Sequence, residues 1–163
     1  TGGRSVMHML AEIAPATTTI RSATSADIPR LVEMGGRFIE LTIYRDRVAH
    51  RPDALRALAT KLTTAGDEAA ILVAEHGDTL IGMIGLVMFE HHISGELVAG
   101  EVCWWVEPEA RGSAGVRLLK AAERWARDRH AVALQMIAPT EDVACIYQAL
   151  GYTPVETTYQ RNL

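Results

Sequence analysis

Arg111, Gly112, Ser113, Ala114 and Gly115 follow one another between a run of β-formers, Glu101–Val106, and a stretch of helical period that opens at Arg117. Nothing bulky shields the backbone amides of such a segment, so several N–H groups can converge on one point. They would do so at the positive end of the dipole of the helix that follows. Arg111 adds a formal positive charge, and the chemistry that suits the arrangement is the capture of an anion such as a pyrophosphate. The glycine spacing is neither the dinucleotide pattern GxGxxG nor the phosphate-loop pattern GxxxxGK(S/T). A small-residue turn between strand and helix is also ordinary packing, and the loop alone does not decide between the two.

The surroundings of the loop are more specific. A strand, then Pro108, Glu109, Ala110, Arg111 and Gly112, then a helix with the pair Leu118 and Leu119, resembles the acetyl-CoA-binding core of the GCN5-related N-acetyltransferases, which usually reads Arg/Gln-x-x-Gly-x-Gly/Ala. Ala144 to Tyr152 resembles the same family's helix ending in Tyr-x-x-x-Gly-Phe/Tyr. The two motifs stand in the family's order, and the resemblance spans residues 18 to 163. Counted from Arg111, the family's two glycine positions hold Ala114 and Val116, with Gly115 between them, and its frequent Asn five residues before the tyrosine is Asp142, which is given no role.

The resemblance implies an α/β fold: a mixed, mostly antiparallel central sheet flanked by helices, with a splayed parallel strand pair at the cofactor site. It implies transfer of acetyl from acetyl-CoA to a primary amine by direct attack in a ternary complex. Acetyl-CoA is the cosubstrate and no metal is required. The implied cofactor contacts are the Val106 main chain and Arg111, Gly112, Ser113, Ala114, Gly115 and Val116. Tyr147 matches the tyrosine that protonates the departing thiolate, and a phenol with a pKa near 10 is reasonably matched to a thiol near 8.5. Glu101 stands where some relatives place the glutamate that removes the amine proton through water. The first two helices and the loop over residues 90–99 would build the acceptor pocket, for a small-molecule or protein amine. Acidic Glu40, Asp46, Glu90 and Glu96 suit a cationic amine, although charges in helices and loops also serve simply as a solvated surface. A homodimer is compatible with the family.

Positioning these groups requires a particular order of elements. Residues 1–17 lack a clear period and begin without Met, so a flexible leading segment that includes an expression remnant is expected, ahead of a single domain over residues 18–163. Thr18–Ala23 reads as a strand, and a helix carrying Ile28, Leu31, Val32, Met34, Phe38 and Leu41 follows, with Gly35-Gly36 as a weak point. A second helix from residues 51–55 presents Leu55, Leu58 and Leu62 on one face and closes near Gly66. Residues 69–75 and 80–89 form an antiparallel hairpin. A helix over 117–130, a central strand over 131–138, a last helix capped by Thr140 and ended by Gly151, and a closing strand or hairpin over 152–163 complete the chain. Trp104 and Trp105 point to opposite faces of their strand.

The remaining composition narrows the function. With 163 residues, 48% of them hydrophobic, the chain can bury one core. A net charge of −4 gives no field for nucleic acid or anionic membrane, and no membrane partner is expected. Cys103 and Cys145 lack metal or redox spacing and read as small buried residues, which suits a cytoplasmic protein. His91 and His92 titrate near neutrality, but adjacent histidines in a polar loop are commonly just exposed, and Glu90 alone does not complete a metal site. Two other readings are a non-catalytic acyl-CoA-binding or sensor module and an acetyltransferase acting on a protein.

Overall fold

The structure is a computed structural model that describes residues 17–161. All of the leading segment except Thr17 therefore lies outside the described residues. The elements in order are β1 (Thr18–Ser22), α1 (Ile28–Leu41), α2 (Pro52–Thr64), β2 (Ala69–His76), β3 (Thr79–Glu90), β4 (Leu97–Val106), α3 (Ser113–Asp128), β5 (Ala133–Gln135) and α4 (Glu141–Ala149). The strands form one sheet in sequence order, antiparallel except for the parallel pair β4–β5.

β2 shows why the sheet lies inside. Ala70, Leu72 and Ala74 pack toward α3, and the alternate residues Ala69, Ile71 and Val73 pack toward α1 and α2. A strand covered on both faces must be a nearly continuous apolar run. On the α3 side Leu118, Ala122 and Trp125 meet Ile84, Leu86 and Ala99. On the other side Leu31, Met34, Ala59 and Leu62 meet Met83 and Trp105. Arg21 ties β1 to the start of α1 and to β2 through both oxygens of Asp27 and of Glu75.

Several expectations are corrected. α1 runs unbroken through Gly35 and Gly36, because both glycines sit at close contacts: a Cβ on Gly35 would meet Leu55 at 3.3 Å, and one on Gly36 would meet the His50 ring at 3.0 Å. On α2 the buried face is Ala59 and Leu62, while Leu58 is 38% exposed. β4 starts at Leu97, so Glu101 is in mid-strand and not at a strand start. α3 starts at Ser113, so Ser113–Val116 are its first turn and not loop. β5 is three residues long and lies at the sheet edge, not its centre, with Val132 and Ile137 exposed on either side of it. Residues 153–161 contain no strand, so the expected closing strand is absent among the described residues. Cys145 is exposed and Cys103 half-buried.

Leu118 is fully buried where α3 crosses the sheet. Leu118→Ala is expected to cost about 2–5 kcal/mol of unfolding free energy in urea denaturation, and a much smaller loss would mean that α3 does not anchor the core.

Candidate active site

The site begins with an irregularity in β4. Against β3, Gly85 pairs with Cys103 and the next residue, Leu86, pairs with Glu101, so Val102 is an extra residue in the ladder. Such a bulge bends its strand and re-aims the side chains beside it. Val102 and Cys103 both face the α1/α2 core as a result. On its other edge β4 pairs with β5 only through Val98, Ala99 and Gly100. Glu101 is the first residue past that pairing, and its carboxylate ties β4 to the segment just after β5: Oε2 accepts the Ile137 N–H at 2.9 Å.

Tyr147 reaches the same place from α4. Thr140 caps this helix by accepting the Val143 N–H, and Gly151, with φ 90°, carries the chain out of it. Tyr147 is only 5% exposed. Its hydroxyl donates to Ile137 O at 3.2 Å and lies 3.4 Å from Glu101 Oε2. Its ring stacks on Trp104, with centroids 5.6 Å apart and planes at 24°. Trp104 therefore lies on the Tyr147 side of β4, whereas Trp105 is buried against α1, edge-on to Phe38.

Burial disfavours charge on all of these groups. It lifts the Glu101 carboxyl to about 7, although the Ile137 N–H and the Tyr147 hydroxyl pull the other way. Tyr147 is raised above the usual phenol value, first by burial and then by the Glu101 charge. Cys103 is pushed up to about 12 by burial, with Glu101 adding to it, so its thiol stays protonated and is no nucleophile. Tyr44, in the turn Ile43–Asp46, is raised first by burial and then by Glu101 and Cys103. That turn, together with Arg47 and Gln160, lines an open cavity of about 570 Å³.

The segment expected to take an anion lies at the N-terminus of α3. Gly112 is the N-cap at φ 129°, a conformation open to glycine, and no side chain caps the helix there. The first N–H groups of a helix have no partner within it, so those of this end, next to Gly112, remain available. Ala114 and Gly115 are buried, and a Cβ on Gly115 would come within 3.2 Å of the Trp104 ring. Trp104 thus links the α3 N-terminus to Tyr147. Arg111 is turned away: its guanidinium carbon is 5.3 Å from the Trp105 ring centroid and its Nε is 3.5 Å from Val106 O, so it brings its main chain, not its charge, to the α3 end.

The structure therefore brings Glu101 and Tyr147 together, with Gly112–Val116 connected to them through Trp104. His91 and His92 stay with their own loop, His91 facing Ser94 and His92 beside Phe89. Sequence reasoning did not single out Ile137, Tyr44 or the buried Glu107. Ile137 acts through its main chain and leaves no side-chain signal. Tyr44 becomes relevant only through a fold that carries it to Glu101.

Comparison with known proteins agrees with this fold. A transcriptional regulator from Bacillus halodurans C-125 is 20% identical and superposes with a TM-score of 0.77 over 90% of this chain and 100% of its own. A probable acetyltransferase is 22% identical, with a TM-score of 0.72 over 89% and 96% of the two chains. An aminoglycoside N-acetyltransferase in complex with CoA is 15% identical, with a TM-score of 0.73 over 93% and 97%. No curated protein matches the sequence. Residues 38–152, which hold α1 from Phe38 onward, the bulged strand, the α3 N-terminus and Tyr147, match the model of the Acetyltransferase (GNAT) family, and the chain belongs to that family.

Proposed function

We propose that the protein is an acetyl-CoA-dependent N-acetyltransferase in which Glu101 and Tyr147 manage the two protons of direct acyl transfer. The observation that carries this reading is one group of base character and one of acid character, 3.4 Å apart, where the pairing of β4 and β5 ends. CoA bound to the structurally similar aminoglycoside N-acetyltransferase supports acetyl-CoA as the cosubstrate. The residues present suit it: an uncapped helix end for a pyrophosphate, and a β4 edge no longer paired with β5 beyond Gly100 for an amide-bearing arm. Acetyl-CoA supplies an activated acyl carbon and a thiolate leaving group.

With its pKa near 7, Glu101 is partly ionised at neutral pH and takes the one proton that an amine entering in its neutral form must lose. The carbon–nitrogen bond forms, the carbon–sulfur bond breaks, and the thiolate receives the Tyr147 proton. Protonated Glu101 no longer holds a negative charge beside Tyr147, so the phenol is a better donor at that moment. The Glu101 proton then passes to the phenolate, and both side chains finish as they began. A small-molecule amine is the simpler acceptor for one compact domain, ahead of a protein amine. The departures at Ala114, Val116 and Asp142 favour the competing reading, a non-catalytic acyl-CoA-binding module, and turnover separates the two.

Tyr147→Phe is expected to lower kcat by about 100-fold or more with acetyl-CoA affinity kept, measured by free-thiol release and calorimetry. Equal loss of binding and turnover would make the residue structural. Because the base must be ionised, kcat/KM should rise with pH through a pKa of about 7 and fall away below it. Glu101→Gln should lose that limb, and a variant that keeps the wild-type profile would remove Glu101 from the mechanism.

A further inference from the structure

Glu107 is the one charged residue that is buried among the described residues, at 6% exposure. It follows β4 directly, and its main chain sets the next turn: its N–H donates to Ile81 O at 2.8 Å and its carbonyl accepts the Ala110 N–H at 2.9 Å. Its side chain points to α1. Arg30 Nη2 donates to Oε1 at 2.8 Å, and the same guanidinium reaches Leu80 O on β3. Arg37 Nε lies 3.0 Å from Oε2 as an ion pair without an aligned hydrogen bond, and Arg37 Nη2 lies 3.8 Å from Glu109. The turn from Glu107 to Gly112 is thereby fastened at its first residue to α1, and it ends at the amides that open α3.

A buried carboxylate confers little net stability even when paired, since desolvation offsets most of the attraction. On the turn that leads to amides suited to an anion, an unpaired carboxylate would also add a repulsive charge. Arg30 and Arg37 both pair with it here. Arg111 cannot help, because its guanidinium lies over Trp105. The arrangement is costly as a stabilising device but effective as a rigid tether.

We infer that Glu107 is a positioning residue, whose Arg30–Glu107–Arg37 clamp to α1 holds the 107–112 turn so that the α3 N-terminal amides converge on the cofactor's anionic group. This rests on the acetyl-CoA reading for the identity of the anion, and on the structure alone for the tether. Glu107→Gln, Arg37→Met and the double variant test it, with melting temperature as the check on folding. Each single variant should raise the KM for acetyl-CoA about tenfold, with kcat and the acceptor KM within about twofold, because misplacing a binding group weakens capture without touching the reacting atoms. The double variant should be no worse than the worse single one, as expected for two halves of one interaction. Hydrogen exchange at the amides of residues 110–115 should be faster in Glu107→Gln whether or not acetyl-CoA binds, which keeps the tether separable from the cofactor assignment. A folded Glu107→Gln with unchanged exchange there, or losses that add in the double variant, would overturn the proposal.

Discussion

The Glu101 carboxylate, accepting the Ile137 N–H across the end of the β4–β5 pairing, is the interaction on which the site depends. A main-chain donor there would otherwise be left to solvent or to a continued ladder, and a parallel ladder continued to Ile137 would close the gap between the strands. The side chain takes the place of the next ladder bond. It holds the two strands in relation to each other without sealing them, and the same oxygen lies within reach of the Tyr147 hydroxyl. Burial does the rest: it raises the carboxyl to near neutrality and keeps the phenol protonated.

The bulge at Val102 makes this possible and also divides the work between the faces of the sheet. Trp105 goes to the α1/α2 core, where Phe38 meets it and Arg111 covers it. Trp104 goes to the other face, between Gly115 and Tyr147. One strand therefore supplies the backbone edge, the carboxylate and the aromatic spacer that sets the distance between the helix end and the tyrosine. Rigid elements with locked side chains are what a site of this kind needs.

Much of this was legible in the sequence. Alternating and helical periods located the hairpin and the helices, and the two motifs named Tyr147 and the segment from Arg111 to Val116 as candidates, which the fold connects through Trp104. What was misread has local causes. Ser113, Ala114 and Gly115 carry no strong helical period, so the first turn of α3 looked like loop, although burial of Ala114 and Gly115 against β4 and Trp104 fixes it as helix. Residues 131–138 are apolar enough for a central strand, yet only three pair, because β4 bends away at its bulge. Leu97–Gly100 extends β4 through pairing with both neighbours, which no period announces. Glu107 carries no signal of its own in the sequence; its partner Arg30 is 77 residues away and is brought to it only by the packing of α1 on the sheet.

The most direct measurement is a crystal structure of the protein with CoA. The account predicts the pyrophosphate on the α3 N-terminal amides and the thiol sulfur between β4 and β5, within hydrogen-bonding distance of the Tyr147 hydroxyl. CoA bound elsewhere, or with its sulfur on the α1/α2 face away from Tyr147, would contradict it.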